Sequence, residues 1–317
     1  MHESGIISRL YRPRALSAIM FLSIMNPSIQ DYLNQWFSKK FGHGNSTVQV
    51  YDVGGGSINH TYRLVVKNYG KFFLKLNSAK KYPGLFIKEK RGLEFLGNQK
   101  IIHVPPVIVC DEIDDCQLLV LGWIEAGFKT GQFWKQFGEQ LAALHHLTFP
   151  YFGFQEDNYM GALPQQNNHY NSWCEFFVHC RLRPQVELAK GSRLLEEKHL
   201  SAFENLYTEL NNIFNDEKPA LLHGDLWSGN FICDQHSEPV LIDPAVYFGH
   251  RSMDLAMTNL FGGFERSFYE SYNYHFPFPP TYPEQWDICN LYPLLIHLNI
   301  FGAGYLGQIE RTLRRFE

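Results

Sequence analysis

The sequence predicts a two-lobed α+β fold: a small β-rich N-lobe over residues 28–124 and a larger, mainly helical C-lobe over residues 125–317. Two observations predict it. From about residue 47 apolar residues fall in short, strand-like runs broken by Gly, Asn and Asp. After Glu125 the runs lengthen, and their apolar residues recur every three or four positions, the period of a helix. A chain of 317 residues with 45% hydrophobic and 19% charged residues has the length and composition to bury a substantial core.

Residues 1–27 read as an N-terminal extension. Its apolar run "ALSAIMFLSIM" follows Arg9, Arg12 and Arg14 like a signal peptide. It is too short for a membrane span, and no small-residue cleavage site follows it. Met25 offers an alternative start. "NPSIQDYLNQWF" comes next and predicts a helix with Ser28 near its N-cap. "TVQVYDVGGG", "SINHTYRLVV" and "FFLKL" predict strands, with a glycine-rich loop before the second and "KNYGK" turning the chain before the third. "IKEKRGLEFLGNQ" carries Ile87, Leu93 and Leu96 at helical spacing, and "VPPVIVCDEIDDCQLLVLGWI" reads as two more strands around an acidic turn. In the second lobe "FWKQFGEQLAALHHL" places Phe133, Phe137, Leu141, Leu144 and Leu147 on one stripe. "WCEFFVHCRLRPQVELAK" and "LSAFENLYTELNNIF" behave alike, while residues 149–172 are rich in Gly, Asn, Gln and Pro and predict loop.

Composition narrows the function. A net charge of −4 with no long run of Lys and Arg argues against a nucleic-acid partner. The six cysteines form no CxxC pair and no Cys/His spacing for zinc, so they read as free thiols in a reducing cytoplasm. No membrane partner is expected. Composition leaves monomer and homodimer equally open.

The chemistry is concentrated in "LLHGDLWSGN", residues 221–230. Asp225 and Asn230 have the D-x-x-x-x-N spacing of a kinase catalytic loop, in which the Asp accepts the substrate hydroxyl proton and the Asn holds a metal. "FICDQHSEPVLIDPA" follows as two short strands joined by a polar turn, a hairpin that returns Asp243 to the neighbourhood of Asn230. A carboxylate and an amide oxygen held together suit Mg²⁺. The small lobe supplies Gly55, Gly56, Ser57 and Ile58 as a loop for phosphates, Lys75 on a strand and Glu89 on the next helix as its partner. Each motif alone is weak, but their order is that of a protein-kinase-like fold.

"LLHGDLWSGN" followed by "IDPAVYFGHRSMDLAM" resembles the fructosamine kinase (ketosamine 3-kinase) family, a branch of the aminoglycoside-phosphotransferase-like superfamily. The likeness runs from about residue 28 through "GGGSIN", "FFLK", "KEKRGLEFL", "LLVLGWI" and "WCEFFVHCRLRPQVELA". The resemblance implies a kinase that uses ATP and Mg²⁺ to phosphorylate the 3-hydroxyl of a small-molecule or protein-bound ketosamine, after which the adduct falls apart and the amine is freed. It implies Asp225 as the base, Asn230 and Asp243 as metal ligands, and the hinge backbone at Gly122, Trp123 and Ile124 as the adenine holder. Arg181 and Gln185 would face the substrate cleft, with His223 and Asp254 in supporting roles. Some family members carry a cysteine in the glycine loop; Ser57 stands there in this chain, so redox control through that loop is not expected.

Plainer readings compete. Asp225 alone would serve as a turn residue, Lys75 as a solvated strand lysine, and Arg181 as a solvated helix residue. Glu94 shares the helix with Glu89. Trp227 reads equally well as a buried anchor or as a wall against a sugar ring. His145 and His146 read as ordinary helix residues. A kinase of another small alcohol, of the aminoglycoside, choline or methylthioribose type, fits the same motifs. A catalytically dead kinase fold is the remaining alternative, although this chain keeps Lys75, Asp225, Asn230 and Asp243.

Overall fold

The computed structural model describes residues 26–41, 47–54 and 58–317. The described residues divide at Val48 into two compact units. In the first, α1 (Pro27–Phe41) puts Ile29, Leu33 and Phe37 on one buried face at i, i+4, i+8 spacing. Its cap is Asn26, one residue before a proline at the first helical position and two before Ser28, whose N–H donates to Asn26 Oδ1 at 3.0 Å. The proline lacks the N–H that a first-turn position leaves unpaired anyway.

The second unit opens with a five-stranded sheet of β1 (Val48–Asp52), whose first residue closes the first unit, β2 (His60–Val66), β3 (Gly70–Ser78), β4 (Val107–Ile113) and β5 (Cys116–Gly122), in the order β1-β2-β3-β5-β4. The β2–β3, β3–β5 and β4–β5 pairs are antiparallel. Register places Lys75 between Thr61 and Leu119. Alternation along β3 buries Phe72, Leu74 and Leu76 on one face, leaving Phe73 and Lys75 on the other. Helix α2 (Leu85–Asn98) packs on this sheet through Leu85, Phe86 and Leu93, while Leu96 joins the larger core beyond it. Buried Gln117 fixes where that helix starts: its Oε1 accepts from Phe86 N–H at 3.2 Å, and its Nε2 donates to the Ser78 and Tyr82 carbonyls.

The rest is mainly helical and shares one large core. Helix α3 (Gly131–His145), capped by Thr130, buries Phe133, Phe137, Leu141 and Leu144, while Leu147 packs at the edge. The expected loop at 149–172 contains a short hairpin, β6 (Asn158–Met160) and β7 (Leu163–Gln165), whose polar side chains bond the backbone of other segments. Next come α4 (Trp173–Phe177), a π-helical turn over Val178–Leu182, α5 (Arg183–Gly191) and α6 (Glu197–Ile213). The wide turn stands just before Pro184, a residue whose ring clashes with ordinary helix geometry.

Strand β8 (Ala220–Leu222) pairs antiparallel with β11 (Tyr247–Gly249), and the hairpin of β9 (Phe231–Cys233) and β10 (Pro239–Leu241) lies between them in sequence. Helices α7 (Ser252–Leu260), α8 (Arg266–His275), α9 (Tyr282–Cys289), α10 (Leu291–Phe301) and α11 (Leu306–Leu313) complete the chain. Among the described residues no helix is long and apolar enough to cross a membrane.

Candidate active site

A cavity of about 410 Å³ is walled by the sheet, α2, the β6–β7 hairpin and the segments around residues 225–230 and 242–245. Asp225, Asn230, Asp243, Lys75, Glu89, Trp227 and Ile58 all line it. Gly55, Gly56 and Ser57 lie outside the described residues. The flanks of their loop are tied down: Val53 N–H donates to Thr61 O at 3.1 Å, and Asn77 Nδ2 reaches Ile58 O and Asn59 Oδ1. Nothing in the strand pattern singles out Asn77.

Lys75 Nζ sits 2.7 Å from Glu89 and 2.5 Å from Asp243. Burial opposes its charge, but the two carboxylates outweigh burial and raise its pKa. Glu89 falls four residues after Leu85 and four before Leu93, hence on the buried face of α2; Glu94 lies on the outer face with Lys90.

Strand β8 ends where the catalytic segment begins. Gly224 has φ 86°, and a Cβ there would lie 2.1 Å from Ala245 O, so only glycine fits this turn. Asp254, buried on α7, accepts from both His223 N–H and Gly224 N–H at 2.8 Å. His223 donates from Nε2 to Ile242 O at 2.9 Å and accepts at Nδ1 from Asp225 N–H at 3.2 Å. Burial lowers its pKa and keeps it neutral, as that bonding pattern needs. Asn230 Nδ2 donates to the Asp225 main-chain oxygen and to Asp225 Oδ2, both at 2.9 Å. That bonding fixes the amide and leaves Asn230 Oδ1 as the atom for a cation. The β9–β10 hairpin then carries Asp243 back: Ile242 N–H donates to Asn230 O at 3.1 Å. Asp243 is held at φ 54°, a left-handed conformation rare outside glycine and concentrated at functional sites. Burial, reinforced by the field of Asp243, pushes the Asp225 carboxyl up to about 7 against the bond from Asn230. One amide oxygen and one carboxylate lining this cavity suit a hard divalent cation that takes its remaining ligands from phosphates and water.

Two expectations, Arg181 and Gln185, are placed differently, and one N–H of the expected hinge is already taken. Gly122 donates its N–H to Pro106 O at 2.9 Å, so that N–H is not free for an adenine. Trp123 and Ile124 follow the strand end outside the cavity lining, with the Trp123 ring 6.4 Å from the cavity-lining Phe73. Arg181 does not face the cleft. It is fully buried, stacked 4.0 Å from Tyr247 and 4.6 Å from Phe176, and donates to Gln166 O, Cys180 O and Asn167 Oδ1. Aromatic faces and carbonyls together satisfy a guanidinium in the interior. Gln185 is also buried, and its two oxygens accept from Asn299 Nδ2 at 3.0 Å, joining α5 to α10.

His145 is more than an ordinary helix residue. It is buried 3.2 Å from Asp254 Oδ2 through Nε2 and 2.8 Å from the Tyr272 hydroxyl through Nδ1. It therefore orients the carboxylate that holds the catalytic turn. Its neighbour His146 stacks on Phe276 at the surface. Trp227 is 39% exposed and lies against Gly229, which excludes a buried anchor.

A lysine paired to a helix glutamate, a buried aspartate bonded to an asparagine five residues on, and a second aspartate returned by a hairpin define a phosphotransferase of the two-lobed kinase class. The sequence matches the pattern of the fructosamine kinase family over residues 29–316. It is 38% identical over 272 residues to a probable ketoamine kinase of Enterococcus faecium, covering 84% of this chain and 95% of that one. Identity to the chloroplastic protein-ribulosamine 3-kinase of Arabidopsis thaliana is 33% over 282 residues, covering 87% and 84%. The crystal structure of a putative fructosamine-3-kinase from Thermobifida fusca superposes with a TM-score of 0.77 at 32% identity, over 85% of this chain and 93% of that one. The chain belongs to the fructosamine kinase family.

Proposed function

We propose that this protein transfers the γ-phosphoryl group of ATP to the 3-hydroxyl of a ketosamine. The observation that carries the reading is the meeting of Asp225, Asn230, Asp243 and the Lys75–Glu89 pair in one cavity of a fructosamine kinase family chain. Asp225 takes the proton from O3 as that oxygen attacks the γ-phosphorus, the bond to the bridging oxygen breaks, and ADP leaves. Lys75, oriented by Glu89, serves the α- and β-phosphates. Asn230 and Asp243 would hold Mg²⁺, which neutralises phosphate charge during transfer. The glycine loop at Gly55, Gly56, Ser57 and Ile58 covers the phosphates, and the Trp123–Ile124 backbone flanks the adenine, bordered by Phe73.

Trp227 presents its exposed indole as one wall of the acceptor site. A phosphate on C3, beside the C2 carbonyl, is a leaving group, and its elimination opens the route to hydrolysis and release of the amine. Six free cysteines suit a reducing cytoplasm, where ATP is at hand. The test offers purified protein Mg-ATP with ribulosamine and fructosamine conjugates, and separately with choline, an aminoglycoside and methylthioribose, and follows ADP. Release with the conjugates is expected; release with a rival alcohol alone would overturn the assignment.

A further inference from the structure

Past Trp227 the surface carries a row of rings that phosphoryl transfer does not use. Phe261, at the end of α7 and 39% exposed, meets Trp227 edge-on with centroids 6.3 Å apart. His297 of α10 lies 5.0 Å beyond Phe261, and Phe301, 54% exposed, lies 5.5 Å beyond His297. Tyr305 closes on His297 at 5.0 Å. The row is built against the catalytic segment at two points. Gly263, at φ 93°, brings the Phe261 turn so close that a Cβ there would stand 2.6 Å from Ser228 Cβ. Gly161, which lines the cavity, faces α10: its Cβ would lie 3.8 Å from Ile300 Cδ1.

His297 donates from Nδ1 to Pro293 O at 2.7 Å, since a carbonyl only accepts, and so its Nε2 keeps a lone pair. Partial burial lowers its pKa and keeps the ring neutral. Exposed aromatic surface continuous with a cavity marks a binding surface, and aromatic faces attract alkylammonium groups. A ketosamine has that chemistry on the side away from O3: a secondary ammonium and, when the amine is a lysine, a four-carbon stem.

We propose that the row Trp227–Phe261–His297–Phe301 is the subsite for the amine half of the substrate, receiving its alkylammonium nitrogen and the apolar stem beyond, while the sugar half enters the cavity toward Asp225. This rests on the ketosamine reading. The row selects among amines and favours a lysine side chain, free or in a polypeptide, over a short amine.

The test compares kcat/KM for two ribulosamine conjugates, one on Nα-acetyl-lysine amide and one on methylamine, in the wild type, Phe261→Ala, Phe301→Ala and Phe301→Tyr. The lysine-to-methylamine ratio should fall about tenfold in each alanine variant, through KM, and return in Phe301→Tyr, which keeps the ring. Unaltered thermal melting shows that each variant is folded. A ratio that stays within twofold in both alanine variants would overturn the subsite while leaving the ketosamine reading intact. A wild type inert toward both conjugates would instead overturn that reading and the subsite with it.

Discussion

Lys75 and Asp243 lie 168 residues apart in sequence and 2.5 Å apart in space, the lysine buried and the aspartate half open to the cavity. The contact joins the β-rich lobe to the catalytic hairpin and sets one cation against two carboxylates, Asp243 and Glu89. Replacing Lys75 with Met leaves those carboxylates facing each other without it. ADP formation should drop by about 100-fold or more, and the melting temperature should fall. Adding Glu89→Gln should recover part of the melting temperature and none of the turnover, a split readable by calorimetry beside a coupled ADP assay.

Asp225→Asn keeps an oxygen that can accept from Asn230 but cannot take a proton. Turnover should fall by about 10²- to 10⁴-fold, with Mg-ATP binding by calorimetric titration retained. Because the change removes one charge from a group that includes Asp243 and Asp254, thermal stability should hold or rise. Undiminished turnover would remove Asp225 from the mechanism.

Gly224→Ala must place a Cβ against Ala245 O at a positive φ. We expect a loss of about 2 to 4 kcal/mol in chemical denaturation together with loss of activity. Gly191→Ala, at the end of α5 with open space around it, is the control and should shift stability by less than about 1 kcal/mol.

His250 is buried against Trp173 and Phe214, accepts from Ser252 N–H at 3.3 Å, and is held near pKa 4 by burial, with the Glu217 carboxylate opposing and Arg251 and His145 reinforcing. Between pH 6.5 and 4 the unfolded chain binds a proton that the folded chain excludes. This histidine's contribution is therefore fully present above pH 6.5 and lost as pH falls toward 4, by about 3 kcal/mol. His145 and His223, also lowered by burial, act in the same direction. Denaturation midpoints across that range should fall less steeply for His250→Gln than for the wild type; equal slopes would refute the assignment.

Much of the site's logic is local. Asp225 and Asn230 share one short segment, Asp243 follows one hairpin later, and Glu89 shares a helical face with Leu85 and Leu93. Such relations depend on strand and helix periods, which residue types carry directly. Arg181 and Gln185 show where this ends. Both sit on an amphipathic helical segment and look solvated or cleft-facing by residue type, yet the interior supplies Tyr247, Phe176, Asn167 and Asn299 from other elements to satisfy them.

The sequence by itself determined the two lobes, the antiparallel sheet, the order in which Lys75, Glu89, Asp225, Asn230 and Asp243 reach one cavity, and the family, because each depends on short-range spacing. Only the tertiary structure decided that His145 braces Asp254, that Gly122 gives its N–H to Pro106, and that Trp227 opens onto a row of rings from three separate segments. Those relations require helices α3, α7 and α10 and the catalytic segment to meet, and no local period encodes which faces will meet across a shared core.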